Sequence, residues 1–177
     1  METCAGQLAA FAFVEKVLGA GEIGLATIIG EAGDLSNYAN PGKLWSRLGY
    51  APYRGFAGSS WKRDSWHQGE KALSKEEWTD HPFSGERYAL MYAISDSMLR
   101  AQKTKKTEDS PGEAKGPYGQ IYMDRRRRTA ETHPDWTDGH SHKDALRVMM
   151  KAYLRDLWVA WNRAENPRFV YKPWNDR

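Results

Sequence analysis

The stretch SHKDALRVMMKAYLRDLWVAW, residues 141–161, carries the clearest helical pattern in the chain. Its large apolar residues recur three and four positions apart, which is the spacing of one face of an α-helix. They are Leu146, Met149, Met150, Tyr153, Leu154, Leu157, Trp158 and Trp161. The pattern predicts a long amphipathic helix with Ser141 as its N-cap, ending at Asn166-Pro167.

Three further helices are predicted upstream from their boundary residues. Ser84 is a candidate N-cap for a helix that runs to Gln102, and Pro117 suits the first turn of another helix. Asn40-Pro41 opens a short helix that Gly49 closes. Alternation typical of strands is nearly absent, so the predicted fold class is mainly α.

Length and composition suit one domain with a hydrophobic core. The chain has 177 residues, of which 40% are hydrophobic and 28% charged. We divide the single domain 1–177 into four parts. Residues 8–48 are helical in pattern, 49–83 are rich in Gly, Ser and Trp, 84–165 are helical, and 166–177 form a tail. A polar linker at 103–116 interrupts the third part and predicts a surface loop.

Several classes of protein are excluded or disfavoured by composition. The single cysteine, Cys4, excludes an internal disulfide framework and a cysteine-based zinc cage, and it fits a cytoplasmic location. No apolar run approaches the roughly 20 residues that span a bilayer, and the first residues lack the positive charge of a signal peptide. The net charge of +3 is too small to indicate a nucleic-acid partner, so local clusters must decide that question.

The most informative short motif is a pair of glycines between two apolar helical stretches. Gly19, Ala20 and Gly21 separate Val14–Leu18 from Ile23–Ile29, which is the pattern of a helix–hairpin–helix. Bare backbone amides at such a hairpin can donate to a DNA phosphate without reading any base. The alternative is an ordinary helical hairpin whose glycines permit tight packing, and Glu22 stands where a phosphate would approach.

The order of motifs after the hairpin resembles one family. The hairpin glycines are followed by Glu31-x-Gly33-Asp34 and by Leu48-Gly49-Tyr50-Ala51-Pro52. In this order the motifs resemble the C-terminal domain of DEDD-type insertion-sequence transposases, the bridge-RNA-guided serine recombinases. Residues 82–102, 116–136 and 142–161 resemble the helices that follow in that domain, so the likeness covers most of the chain from Val14 to Trp161.

This resemblance implies a bacterial, nucleoid-associated transposase domain of a mobile element. The family's N-terminal half is a RuvC-like nuclease domain, and no corresponding acidic set is found here. No cofactor is therefore expected in this chain, and Mg²⁺ only in the absent nuclease domain. The chain by itself is expected to bind DNA without strand transfer, either as one half of a split protein or as a truncated remnant.

The same resemblance implies the partners and the alternatives. The expected partners are DNA, a guide RNA, a full-length transposase or a separate nuclease-domain chain, and further copies of this chain when it is functional; no membrane partner is expected. Two other functions stay open: a non-catalytic helix–hairpin–helix module that holds nucleic acid, and a remnant without nucleic-acid affinity.

A nucleophilic serine follows the L-G-x-x-P step in this family and attacks a DNA phosphodiester. Ser59 and Ser60 are the only hydroxyl residues that can correspond to the family's serine. If the two sequences are aligned without a gap, that serine falls nearer Ala57 instead, and the site would then lack a nucleophile. The resemblance therefore makes Ser59 and Ser60 the catalytic candidates, with a solvated loop serine as the alternative. Nearby cations that can stabilise charge on a phosphate are Arg54, Lys62 and Arg63.

A run of four arginines is the strongest basic feature. Arg125, Arg126, Arg127 and Arg128 cover nearly the whole circumference of a helix, so they cannot share one face. The resemblance to the transposase family favours phosphate contact for these arginines; a solvated helix end and pairing with carboxylates are the alternatives. A second cluster, Arg100 to Lys106, lies at a helix end, where the dipole alone would explain cations.

Histidines and tryptophans provide two weaker signals. His133, His140 and His142 lie close together, but their spacing matches no established metal site, and a polar loop is the preferred interpretation. Trp45, Trp158 and Trp161 are predicted to lie in the core. The remaining loop tryptophans suit either base stacking or packing of loops onto the body, and these are Trp61, Trp66, Trp78 and Trp136.

Overall fold

The computed structural model describes residues 6, 8, 10–54, 56–57, 62–63, 69, 72–80, 83–105 and 112–173. The helices are α1 (Phe11–Val14), α2 (Glu22–Ala32), α3 (Pro41–Arg47), α4 (Lys75–Asp80), α5 (Gly85–Gln102), α6 (Pro117–Thr132) and α7 (Asp138–Glu165). A 3-10 turn spans Leu35–Asn37, and four two-residue strands lie between α3 and α4. The prediction of a mainly α fold is confirmed.

Helix α7 forms the centre of the structure, and the other helices pack around it. All eight residues of its predicted apolar stripe are buried. Helix α6 packs along it, and α3, α5, α1 and the 3-10 turn also contact it. Two indole N–H groups anchor the 3-10 region on α7, because Trp158 donates to the Tyr38 carbonyl at 3.0 Å and Trp161 to the Asp34 carboxylate at 3.0 Å.

The start of α7 differs from the prediction. The helix begins at Asp138 and its N-cap is Thr137, whose hydroxyl accepts a hydrogen bond from the amide of His140 at 3.2 Å. Ser141 lies one turn inside the helix, where its buried hydroxyl pairs with that of Thr129 at 2.7 Å. Thr and Ser are both good N-caps. The structure therefore uses the first of them and buries the second between α6 and α7.

The first helical stretch predicted for the hairpin motif, Val14–Leu18, is wrong, because α1 ends at Val14. The boundaries predicted from Ser84, Asn40, Pro117 and Gly49 are confirmed. Ser84 accepts from the amide of Arg87 at 3.3 Å and Asn40 from that of Lys43 at 3.1 Å, so both are N-caps. Pro41 and Pro117 occupy the first turns of their helices. Gly49 follows α3 with φ +81°, a conformation that favours glycine.

The Gly/Ser/Trp-rich segment contains short strands that the sequence pattern did not predict. Strands β1 (Pro52–Tyr53) and β2 (Phe56–Ala57) pair antiparallel, and β3 (Lys62–Arg63) pairs parallel with β4 (Ala72–Leu73). Two residues are too few to show an alternating pattern, which explains why they were missed. The two ends of the predicted linker are joined by a backbone hydrogen bond, because the amide of Thr104 donates to the carbonyl of Glu113 at 2.8 Å. Gly112, near the second end, is buried. Within the described ranges, no helix has the length and apolarity needed to cross a membrane.

Candidate nucleic-acid interface

The turn between α1 and α2 lies against the last turns of α5. Gly19 has φ +78°, and a Cβ built on it would lie 2.7 Å from the Cβ of Ala101 and 2.9 Å from the Cα of Met98. Both distances are shorter than atoms tolerate, so only glycine allows this approach. Ala20, the next residue, is buried. Tight packing therefore accounts for Gly19, as the alternative interpretation of the motif expects.

The second glycine of the motif has different surroundings. Gly21 is the N-cap of α2, is exposed, and has no heavy atom within 4 Å of the position of a Cβ. Ile23, in the first turn of α2, is 82% exposed. The first amides of a helix lack carbonyl partners within that helix, and the helix dipole favours anions there. A side chain can thus be accommodated at Gly21 but not at Gly19, and Glu22 places a carboxylate in the first turn of α2.

A buried glutamine joins this turn to α5 and α6. The side chain of Gln102 is 1% exposed; its amide nitrogen donates to the Leu18 carbonyl at 2.9 Å and its oxygen accepts from the amide of Gly119 at 3.3 Å. The backbone carbonyl of Gln102 also accepts from Lys115 at 2.7 Å. These bonds hold the end of α5 beside the Gly19 turn.

This docking places the end of α5, near which Arg100, Lys103 and Lys105 lie in the sequence, beside the Gly19 turn. The ammonium of Lys103, however, lies 5.9 Å from the ring centroid of Tyr122 on α6. Arg100 precedes the alanine that contacts Gly19, and its side chain is 80% exposed while it pairs with Asp96 at 2.5 Å. Lys103 and Lys105 follow at the end of the helix, and Lys105 is exposed. Lys106 lies outside the described residues. The pattern of the sequence held no signal for this proximity, because about eighty residues separate the two segments.

The four consecutive arginines of α6 do not form one patch. Arg125 donates to the buried carboxylate of Asp144 at 2.5 Å, and Arg126 pairs with Asp138. Arg127 pairs with Asp124 one turn earlier on the same helix at 2.7 Å. Arg128 is exposed. Arg127 and Arg128 thus remain on the surface, whereas Arg125 is engaged in the interior contact between α6 and α7.

The segment that carries the catalytic candidates is described only in part. Ser59 and Ser60 lie outside the described residues, as do the side chains of Lys62 and Arg63 in β3. Arg54, at the turn between β1 and β2, pairs with Glu77 of α4 at 2.8 Å. Hydrogen bonds from the Ser74 amide and from Arg54 hold the pKa of Glu77 below its usual value.

The histidines near the α6–α7 turn stack or form hydrogen bonds with aromatic residues. The ring of Trp136 lies between His133 and His140, with centroid distances of 4.2 and 4.0 Å and nearly parallel planes. His142 contacts the Tyr122 hydroxyl through Nδ1 at 2.8 Å. Among the described residues no three His, Cys, Asp or Glu side chains converge as metal ligands. Since imidazoles cover both faces of Trp136, that ring is not open for base stacking.

One charged cluster was missed by sequence reasoning. Asp144, whose side chain is 4% exposed, receives Arg125 on one oxygen and Arg147 on the other at 2.7 Å. Lys151 lies one turn beyond Arg147, with its ammonium 5.1 Å from the ring centroid of Trp45. Trp45 is half-buried rather than fully in the core. The sequence offered one signal for this cluster: Asp144, Arg147 and Lys151 are spaced three and four residues apart, which places them on one face of the helix.

Comparisons with protein-family models, with curated proteins and with solved structures find no match for this chain.

Proposed function

We propose that this chain is a DNA-binding domain of a transposase or recombinase from a mobile element, and that α1, the Gly19 turn and α2 act as a helix–hairpin–helix that contacts the DNA backbone. The observation that supports the proposal is the docking of the Gly19 turn on the end of α5. It sets the open N-terminus of α2 near the basic end of another helix.

The chemistry of this arrangement suits a phosphodiester. The first amides of α2 have no carbonyl partner within that helix and can donate to phosphate oxygens, and the positive end of the helix dipole attracts the charge. Arg100 and Lys105 are exposed cations near the end of α5 that can attract further backbone charge. None of these groups reads a base edge, so the contact positions DNA without specifying sequence.

A second carboxylate at the N-terminus of α2, beside Glu22 in its first turn, is expected to weaken DNA binding. In Gly21→Asp the new side chain occupies the open space at the N-cap, where it bonds the free amides itself and repels a phosphate. We expect the Kd for a short duplex DNA to rise about tenfold or more, since a charge-assisted hydrogen bond contributes roughly 1.5–3 kcal/mol. Fluorescence anisotropy at several salt concentrations measures the change.

Gly30→Asp is the matched control for this experiment. Gly30 lies on the same helix, is exposed, and has no heavy atom within 4 Å of a Cβ position. Both variants change the net charge equally, so an effect of overall charge alone would appear in both. Equal affinities for Gly21→Asp and Gly30→Asp would refute the contact at the hairpin.

The proposal extends to strand cleavage with Ser59 or Ser60 as nucleophile, supported by the position of these serines after Leu48-Gly49-Tyr50-Ala51-Pro52. The serine oxygen would attack a DNA phosphorus and form a phosphoserine ester. The bond from phosphorus to the leaving DNA oxygen would break, and that oxygen would take up the proton. The nuclease half needed for the full reaction would be supplied as a second chain.

Loss of both hydroxyls is expected to abolish the covalent intermediate. With the nuclease half supplied in trans, Ser59→Ala/Ser60→Ala should reduce the serine–DNA adduct on a denaturing gel by about 10³-fold or more. Single variants then identify the nucleophile, and Ser97→Ala on the exposed face of α5 serves as control. An undiminished adduct in the double variant would leave the non-catalytic binding module as the function.

A further inference from the structure

The middle of α7 carries more positive charge than its partners neutralise. Asp144 is buried and is shared by Arg125 and Arg147, so one carboxylate faces two guanidinium groups. The side chain of Arg147 remains 33% exposed. Lys151, one turn further on, is half-buried. Like charges four residues apart on a helix repel each other.

The surroundings of Lys151 reflect this excess of positive charge in the middle of α7. Burial and the charge of Arg147 lower the pKa of Lys151, and the opposing effect of Asp144 is smaller. The ammonium lies over the ring of Trp45, and the Trp45 indole N–H donates to the Lys151 carbonyl at 3.1 Å. A cation–π contact supplies only part of what the ammonium loses on leaving water. An anion between Arg147 and Lys151 would relieve both cations.

One aromatic ring lies directly against this pair of cations, and a second, which packs on Tyr50 and Phe83, lies within electrostatic range of it. Trp45 lies beside Lys151, and the charge of Arg147 acts on Tyr88 of α5. Both rings are half-buried, so each keeps part of its surface open. Cations interleaved with aromatic rings are the combination that binds the backbone and bases of nucleic-acid strands.

We infer that Arg147 and Lys151, with Trp45 beside Lys151 and Tyr88 within electrostatic range, form a second nucleic-acid contact that binds a phosphodiester of a strand. The site is separate from the hairpin contact. Tyr88 and Ala101 stand thirteen residues apart on α5, which corresponds to about 20 Å along the helix axis. One phosphate cannot reach both surfaces. The inference does not depend on the hairpin proposal, because none of its residues belongs to that surface.

Neutralising Lys151 should weaken binding while it stabilises the free protein. Lys151→Met keeps an unbranched side chain against Trp45 but removes the charge that Arg147 repels. We expect about a tenfold higher Kd for a short fluorescein-labelled single-stranded DNA. The slope of log Kd against log salt concentration should decrease by about 0.7 for each lost phosphate contact. The Tm without DNA should rise or stay unchanged. Arg147→Met should weaken binding similarly.

Two controls separate this role from a structural one. Lys143→Met removes an exposed charge from the same helix and should change neither affinity nor Tm. Lys151→Arg keeps the charge and should restore binding. Wild-type affinity in Lys151→Met would overturn the inference, and so would weak binding accompanied by an equal loss of stability.

Combination with the hairpin variant separates the two proposals. Sites this far apart without shared partners are expected to act additively, so Lys151→Met should lower affinity by the same factor in the Gly21→Asp background. If Gly21→Asp binds normally and Lys151→Met binds weakly, the hairpin proposal fails and this site stands. The reverse result refutes this site alone.

Discussion

Gly119→Ala is expected to destabilise the protein by about 3 kcal/mol or more, because the new methyl group would collide with a backbone atom. A Cβ on Gly119 would lie 2.0 Å from the carbonyl oxygen of Gln102 and 2.9 Å from its carbonyl carbon. A backbone carbonyl cannot rotate away as the end of a side chain can. Helix α6 would have to move off the end of α5.

That movement would also break the hydrogen bonds of Gln102. The Gly119 amide donates to its side chain, which in turn donates to the Leu18 carbonyl of the Gly19 turn. Gln102 is buried, so groups separated there lose their partners without gaining water. We therefore expect the substitution to loosen the Gly19 turn as well as α6.

Urea unfolding followed by tryptophan fluorescence measures the effect, with Gly30→Ala as the control. Gly30 is helical and exposed, with no heavy atom near a Cβ position, so alanine there should stabilise by about 0.5–1 kcal/mol. Both substitutions replace glycine with alanine, yet they should change the free energy of unfolding in opposite directions. A Gly119→Ala variant within about 1 kcal/mol of wild type would show that the α5–α6 contact is looser than described.

Asp144→Asn is expected to cost about 2–4 kcal/mol near neutral pH. Removing one partner of a buried ion pair leaves an uncompensated charge, and here Arg125 and Arg147 both lose their anion. We expect less than the full cost of a buried charge because both guanidinium groups keep partial contact with water. Asp124→Asn is the control, since its exposed pair with Arg127 should contribute less than about 1 kcal/mol.

The same carboxylate predicts a pH dependence of stability. Burial acts to raise the pKa of Asp144, but hydrogen bonds and charges from Arg125 and Arg147 outweigh it and hold the pKa below its usual value. A lowered pKa in the folded state means that the stabilisation is complete above the pKa of the unfolded chain, about 3.9. It is lost as the pH falls through the lower folded value.

The measurement is the free energy of unfolding as a function of pH for wild type and Asp144→Asn. The difference between them should be constant above about pH 5 and shrink in acid, because protonation neutralises the wild-type carboxyl. A difference that persists undiminished in acid would show that the asparagine disturbs packing rather than charge.

Much of the fold could be predicted because its signals are local. The stripe of α7 and the caps Asn40 and Ser84 are patterns that repeat or close within one or two turns. The start of α7 was placed too late because Thr137 and Ser141 are equally good caps by residue type. What separates them is a tertiary contact: the hydroxyl of Ser141 pairs with that of Thr129 between α6 and α7, and Thr137 is left as the cap.

The candidate site was predicted only in part, because its groups meet across long distances in sequence. The glycine pair was found, but packing of Gly19 on Ala101 and the open space at Gly21 give the two glycines different roles. The arginine run was found, but its pairing with Asp144 and Asp138 divides it between interior and surface.

The sequence by itself determined that the chain is mainly helical, where α3 and α5 begin and end, and which face of α7 is buried. These properties depend on side chains three or four residues apart, whose contacts exist as soon as a helix forms. Only the tertiary structure decided that α5 ends beside the Gly19 turn and that Asp144 binds two arginines. It also left Lys151 without an ion pair to any acidic side chain in the part of the chain that the structure describes. Such contacts depend on how whole helices dock, and many dockings satisfy the same apolar stripes.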